Sequence, residues 1–409
     1  MPALIVLTSL FFMWGLITSL NDILIPHLKA AFSLSYVQAM LIQFCFFGAY
    51  FVMSLPSGFL VERVGYKRGI IVGLAVAGSG CLLMYPAAGM QSYFFFLFAL
   101  FVLASGITLL QVAANPYVAI LGRPERASSR LTMTQAFNSL GTTIGPFFGS
   151  ILILAAVKPA ATSEAVTSRA AEAASVQGPY FILAMVLFAL AVAIALVHLP
   201  VINARDQAAS NASAIPQAHH ESVWGYRHLV LGAIGIFMYV GGEVTIGSFL
   251  VNFMNQPEIA GLTEETAGKY LSFYWGGAMV GRFIGAVVMT RVKPANVLTF
   301  NSVVVMALLI IAMAVAGPTA MWCLLAIGLF NSIMFPTIFT LAIDGLGKHT
   351  GAGSGVLCMA IVGGAIVPVI QGFLADNVSL LYSFVTPLVC YLYIAYYGLK
   401  GYRTDSVRA

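Results

Sequence analysis

The sequence predicts an all-α membrane protein, with twelve transmembrane helices arranged as two pseudo-symmetric six-helix halves. Three observations carry this. Hydrophobic residues fill 60% of the 409 positions and charged residues only 8%, against about 25% charged in a soluble domain, so the chain cannot cover a water-facing surface. Apolar runs of about 20 residues, enough to cross about 30 Å of hydrocarbon as a helix, recur from end to end. Landmark residues also return at an interval of about 221 positions. Runs this long and continuous exclude a barrel of short alternating strands.

Taken in order, residues 4–28 form the first span, apolar except for Asn21 and Asp22 in SLNDILIPHL. It is too long, and too little flanked by basic residues, for a cleaved signal peptide. Span two (38–61) contains Gln43 and runs into the basic loop GFLVERVGYKRG, residues 58–69; span three follows at 69–88. Span four (93–121) opens on the aromatic run YFFFLF and carries Gly106, Gln111, Asn115 and Pro116. Span five (130–156) holds Gln135 and Asn138, then Gly141, Gly145, Pro146 and Gly149; span six (178–199) is uniformly apolar. The Ala/Ser/Thr-rich stretch 157–177 between them has weak periodicity and receives no function. Residues 200–227, polar, small and turn-rich, read as a linker. Span seven (228–253) contains Glu243 and Asn252, span eight (267–290) Tyr274, Trp275 and Arg282, and span nine (295–315) Asn301. Span ten (319–345) has Gly328, Asn331, Pro336 and Asp344, span eleven (351–375) Gly363, Gly364, Pro368 and Gly372, and span twelve is 379–400. The domains are therefore an N-terminal half (1–199), the linker (200–227) and a C-terminal half (228–409).

With the N-terminus in the cytoplasm, fourteen Lys and Arg residues, among them Arg63, Lys67, Arg68, Arg123, Arg126, Arg130 and Arg291, fall on the cytoplasmic side. Only Lys29, Lys158, Arg169 and Lys269 fall on the other. That asymmetry fixes both termini inside, and it accounts for the net charge of +5 without a nucleic-acid footprint. The five cysteines lie in apolar runs with no paired spacing, as small buried hydrophobes rather than a disulfide framework or metal site.

The halves match in order. Asp22 corresponds to Glu243, Gly106 to Gly328, Pro116 to Pro336 and Pro146 to Pro368, at offsets of 220–222; Gly48 and Arg63 correspond to Gly276 and Arg291 at 228. The drift fits a longer first loop in the second half. Two repeated six-helix halves enclosing a central site are the plan of a secondary transporter. The acids at Asp22 and Glu243 sharpen that reading, because a carboxylate in hydrocarbon costs roughly 3 kcal/mol by insertion scales and marks function.

The loop GFLVERVGYKRG resembles the signature loop of the major facilitator superfamily, with Glu62 in place of the usual Asp. Gly58 and Gly65 allow close approach and a tight turn, while Arg63, Lys67 and Arg68 can clamp helix ends, a gating role. SLNDILIPHL, QVAANPYVAILG, TQAFNSLGTTIGPFFGS and FPTIFTLAIDGLGKHTGAGSG together resemble the fucose:proton symporter family, and YVGGEVTIGSFLVNF its branch carrying glucose, galactose and related hexoses. The resemblance implies the major facilitator fold and sugar import. It departs at Gln111, where the fucose carrier has a coupling glutamate, and at Thr18 and Ser19, where it has asparagines. These departures argue against assuming fucose or a proton.

A hexose site needs several hydrogen-bonding groups and an aromatic face. The polar residues within the spans are Asn21, Gln43, Gln111, Asn115, Gln135 and Asn138 in the first half and Asn252, Asn301 and Asn331 in the second. Gln135 and Asn138, three apart, share a helix face, and their family counterparts bind sugar. Amides also glue helices together, and that role stays open for each and is preferred for Asn301. The expected sugar ligands are Gln43, Gln135, Asn138, Glu243, Asn252, Trp275 and Asn331, with Tyr274 or Trp275 stacking on a pyranose ring. Glu243 can accept two charge-assisted hydrogen bonds from sugar hydroxyls; it could instead titrate as a second coupling group. Asp22, Asn21 and Gln111 form the expected coupling site. Their oxygens favour Na⁺, centred on Asp22, with H⁺ the alternative. Arg282 is expected to pair with Asp344, and Asp376 to be solvated.

The sequence thus reads as a hexose–cation symporter of a bacterial inner membrane. It would have no cofactor beyond the coupling ion, and would act as a monomer in lipid. A drug exporter of the same fold would want fewer amides. An enzyme would need a zinc spacing, an intramembrane nucleophile or a nucleotide loop, and the linker pair His219–His220 supplies none of these. A channel fits poorly with broken, twice-repeated helices.

Overall fold

The computed structural model describes residues 2–31, 36–90, 92–149, 177–197 and 222–404, and these contain helices and turns but no strand. The side chains of residues 2, 20–31, 36–41, 43, 88, 146–149 and 179 also fall outside the description. The first half supplies α1 (Pro2–Ala31), α2 (Tyr36–Val64), α3 (Tyr66–Gly89), α4 (Tyr93–Ile120), α5 (Ala127–Gly149) and α6 (Gln177–Leu196). The second half begins with α7 (Arg227–Asn255), α8 (Glu264–Val288) and α9 (Pro294–Ala314). The tenth span is broken into α10 (Pro318–Asn331) and α11 (Met334–Ala342), and the eleventh into α12 (Thr350–Met359) and α13 (Gly363–Asn377). The twelfth comprises α14 (Leu380–Ser383), α15 (Val385–Tyr396) and a π-turn at Tyr397–Gly401. Every expected span overlaps one of these segments, with residues 150–156 of the fifth and 198–199 of the sixth outside the described residues. Helix is the necessary choice, because hydrocarbon offers no partner to an unpaired backbone group.

Among the described residues nine helices are long and apolar enough to cross a membrane, with Ala3–Ser19 and Tyr180–Leu196 as shorter apolar stretches. The fifth span falls outside both sets. Its sequence, ASSRLTMTQAFNSLGTTIGPFFG, is crowded with Ser, Thr and amides, so its burial must come from neighbouring helices. The surface is greasy elsewhere: Phe94 is 81% exposed and Val369 69%, a distribution that only lipid tolerates.

The chain forms two compact units, Met1–Ala114 with Phe137–Ile202, and Asn115–Ala136 with Asn203–Ala409. In the first, glycines set helix spacing. A methyl added to Gly15 of α1 would overlap the backbone oxygen of Asn138, and one added to Gly141 of α5 that of Phe12. Gly106 of α4 meets the backbone of Ala77 in α3 in the same way. Such contacts are how helices associate where no hydrophobic force drives them together. Between α2 and α3, Gly65 adopts φ 85°, a left-handed turn that favours glycine. Lys67 Nζ donates to the Ala195 carbonyl at 2.9 Å, capping the end of α6.

In the second unit the relation recurs. A methyl on Gly363 of α13 would overlap the Phe237 carbonyl of α7. Gly141 and Gly363 are 222 positions apart, and each meets a carbonyl of the first helix of its own half, with the partners Phe12 and Phe237 displaced by about one turn from the 221-residue register. Residues 115–136 join this unit because Ser128 and Thr340 share a hydrogen bond of 2.6 Å and Ser129 Oγ donates to the Ala286 carbonyl at 2.6 Å. Arg130 Nη1 and Nη2 donate to the carbonyls of Arg123 (2.7 Å) and Ala119 (2.5 Å), satisfying groups that the end of α4 leaves orphaned.

Candidate functional site

Glu243 lies in the middle of α7, in a stretch opened by glycines. Gly241 leaves room for Val367 of α13, and Gly242 brings Cys390 and Tyr391 of α15 to within 3.4 Å of where its own side chain would be. One turn after Glu243, Gly247 forms a floor under Trp275, whose ring lies 3.1 Å from where a side chain on Gly247 would begin. One turn before it, Tyr239 turns its hydroxyl towards the carboxyl. Neither Tyr239 Oη nor Glu243 Oε1 completes a well-formed hydrogen bond, although both atoms are shut away from solvent. The opposing charge acting on the carboxyl is that of Arg282.

Behind Glu243 runs a buried chain of hydrogen bonds through four spans. Tyr274 Oη of α8 donates to the Glu243 carbonyl at 3.1 Å. Asn331 Nδ2, at the end of α10, donates to Tyr274 Oη at 2.9 Å. Tyr391 Oη of α15 donates to Asn331 Oδ1 at 2.7 Å. All three side chains are 0% exposed. In a low-dielectric interior such a network, with each member satisfied, specifies one packing. Tyr274 also meets Trp275 edge to face, 5.1 Å between ring centres, so the network holds both the backbone at Glu243 and the half-exposed Trp275.

Asn331 is expected from sequence as a sugar ligand. It is wholly buried and both ends of its amide are taken by tyrosines, so it positions its neighbours. Tyr239 and Tyr391 were not singled out from sequence; a tyrosine in an apolar span is indistinguishable there from packing. Asn252 is exposed at the end of α7. Asn301 Nδ2 donates to the Phe330 carbonyl at 2.8 Å, a helix-joining contact.

Arg282 and Asp344, expected from sequence as a pair, each show other contacts. Arg282 Nε donates to the Ser332 carbonyl at 3.2 Å. That carbonyl is free because Pro336, four residues on, has no N–H to offer it. Asp344 lies beyond the end of α11, where its charge faces His228, and its carbonyl bonds His228 Nε2 at 2.8 Å.

In the first unit, Gln111 Nε2 donates to Tyr50 Oη at 2.9 Å, and Gln111 Oε1 is buried with no partner. Asn115, one turn on along α4 and assigned to the second unit, is 0% exposed with neither end of its amide paired. Asn138 Nδ2, in the first unit, donates to the Phe11 carbonyl of α1 at 2.9 Å; Gln135, in the second, is 8% exposed. Thr18 bonds back to its own helix, and Ser19 Oγ donates to the Thr142 carbonyl of α5 at 3.0 Å. Asn21, Asp22 and Gln43 lie outside the described residues at side-chain level. Gly58 is buried, Glu62, Arg63 and Arg68 are exposed, and Asp376 is not enclosed.

The model of the family described as Major Facilitator Superfamily matches residues 6–368. The chain belongs to the major facilitator superfamily. It is 58% identical over 402 residues to the glucose/galactose transporter of Brucella abortus, covering 98% of this chain and 94% of that protein. It is 35% identical over 379 residues to the L-fucose-proton symporter of Escherichia coli, covering 90% and 86%. The crystal structure of the Escherichia coli fucose:proton symporter superposes with a TM-score of 0.85 at 32% identity, over 97% of both chains. These relatives place it in the fucose:proton symporter family, beside the glucose/galactose transporters, as a multi-pass membrane protein of the major facilitator fold. It is not an enzyme; its relatives are transporters.

Proposed function

We propose that this major facilitator protein imports a hexose, glucose or galactose, together with a cation by alternating access. It would act as a monomer in a bacterial inner membrane with both termini in the cytoplasm. The observation that carries the reading is Glu243. Its Oε1 is buried and unpaired, one turn from a glycine floor under the half-exposed Trp275. A carboxylate that accepts hydroxyl protons beside an aromatic face is a sugar-recognising pair. The Brucella relative's name supports a hexose.

The coupling ion is Na⁺ on this reading, held by Asp22, Asn21 and Gln111. Gln111 cannot take a proton at neutral pH, and its amide oxygen is buried without a partner, a group that a dehydrated cation would satisfy. Proton symport is the second reading, favoured by the name of the Escherichia coli relative. The deciding experiment is hexose counterflow and uphill uptake in proteoliposomes. Accumulation should follow a Na⁺ gradient at fixed pH. Equal accumulation driven by a pH gradient in choline buffer would replace Na⁺ with H⁺, and absence of hexose counterflow would remove the sugar assignment itself.

A further inference from the structure

Outside the site already described, Gln371 is the most unusual residue in the second unit. It is 0% exposed in α13, and neither Nε2 nor Oε1 has a protein partner. Thr245 of α7 is also 0% exposed with its Oγ1 unpartnered. The register of the two helices brings them to one level. Gly363 meets Phe237 and Val367 meets Gly241, four residues further along each helix. The next equal step pairs Gln371 with Thr245. Beyond it, the ring of Phe249 lies 3.6 Å from where a side chain on Gly372 would be. The level is therefore bounded by Val367 on one side and Phe249 on the other. On α15, Cys390 and Tyr391 oppose Gly242, and Phe384 meets Phe253 with ring centres 5.3 Å apart. Thr386 falls between those contacts, its buried Oγ1 again without a partner.

We infer that Gln371, Thr245 and Thr386 form a second site in the C-terminal half, which binds a hydroxyl group. The donor and acceptor inventory selects that ligand. A glutamine amide offers two N–H donors and a carbonyl, and each threonine a hydroxyl. None of the three is charged. A cation would meet the amide N–H groups and no carboxylate; an anion would meet the amide oxygen. A group that both donates and accepts satisfies all of them. Its source is a hexose hydroxyl or an ordered water, and only the first rests on the sugar-carrier reading. Buried polar groups in lipid-embedded helices are expensive to leave unpaired, and water in such a position is part of the structure.

The test uses the full-length protein in proteoliposomes, with Gln371→Met, which keeps the length and removes the polarity, and Thr245→Val beside Thr245→Ser. If the ligand is a sugar hydroxyl, Gln371→Met and Thr245→Val raise the KM for glucose about tenfold. Thr245→Ser does not, and one deoxyglucose in a positional series already shows that loss in the unaltered protein. If the ligand is water, KM is unchanged across the series. A structure at a resolution that shows waters then has density bonded to Gln371, and Gln371→Met lowers the melting temperature. The inference is overturned if Gln371→Met and Thr245→Val leave KM unchanged, hold or raise the melting temperature, and no density stands at Gln371. Should the unaltered protein show no hexose counterflow, the sugar reading falls, and the density and melting temperature still decide the site. If Gln371→Met fails to fold, the two Thr245 variants carry the same comparison.

Discussion

Tyr391→Phe removes a single oxygen from a network buried on all sides. The phenol donates to Asn331 Oδ1 at 2.7 Å, and both residues are 0% exposed. The ring remains, so no cavity forms and the cost is that of the orphaned amide oxygen, about 1–3 kcal/mol. Asn331→Leu takes away the acceptor of Tyr391 and the donor to Tyr274 together; it orphans the Tyr391 hydroxyl, while Tyr274 keeps its bond to the Glu243 carbonyl, and should cost at least about 1–3 kcal/mol. In that background Tyr391 has already lost its partner, so adding Tyr391→Phe should cost nothing further. The double-mutant cycle therefore predicts a coupling of about 1–3 kcal/mol. Unfolding by SDS titration in mixed micelles measures it. Because Tyr274 also bonds the Glu243 backbone, hexose affinity should weaken in both single variants. If the effects instead add to within about 0.5 kcal/mol, the four spans are not joined through Asn331, and the account of how Glu243 and Trp275 are held fails.

Other outcomes follow from the same geometry. Glu243→Gln replaces charge-assisted hydrogen bonds by neutral ones, and should weaken hexose affinity about tenfold while leaving the ion concentration for half-maximal uptake nearly unchanged; equal shifts in both would make Glu243 a coupling group. Asp22→Asn should abolish uphill accumulation yet retain counterflow, and normal accumulation by that variant would remove Asp22 from coupling. Gly141→Val and Gly363→Val each drive a side chain into a carbonyl of the facing helix, Phe12 or Phe237. Each should cost 1–3 kcal/mol or more, roughly the overpacking range; unaltered melting temperatures for both would show that these helices do not touch at the backbone.

What the sequence made legible is what hydrocarbon enforces. All twelve spans could be placed because a membrane helix is a long apolar run with nowhere else to put its backbone. Gly141 and Gly363 are visible as breaks in matching spans, and each meets a backbone carbonyl of the first helix of its own half. The polar residues were harder. An amide in an apolar helix announces itself, but not its direction: Asn331 reads from sequence as a ligand and lies inside a network, while Gln371, just as visible, is buried with neither end of its amide paired. Tyr391 could not be found at all, since among 17 tyrosines and 29 phenylalanines a hydroxyl in the core leaves no periodic trace. The same ambiguity holds for Asn138, whose amide joins α5 to the Phe11 carbonyl.

Arg282 shows why sequence distance misleads about charge in a membrane. A lone intramembrane arginine calls for an acid, and Asp344 was the nearest candidate by depth. The tenth span, however, contains Pro336, which both interrupts the helix and releases the Ser332 carbonyl. A guanidinium has five N–H groups, enough to satisfy that carbonyl while its charge also acts on Glu243. The proline and the arginine are therefore one device. The break that would leave an unpaired backbone oxygen in the membrane is the reason Arg282 can be tolerated there, and Arg282 is the reason the break need not be closed. It also places a positive charge where it opposes the carboxylate of Glu243, so the geometry of the kink and the charge of the site are set by the same side chain.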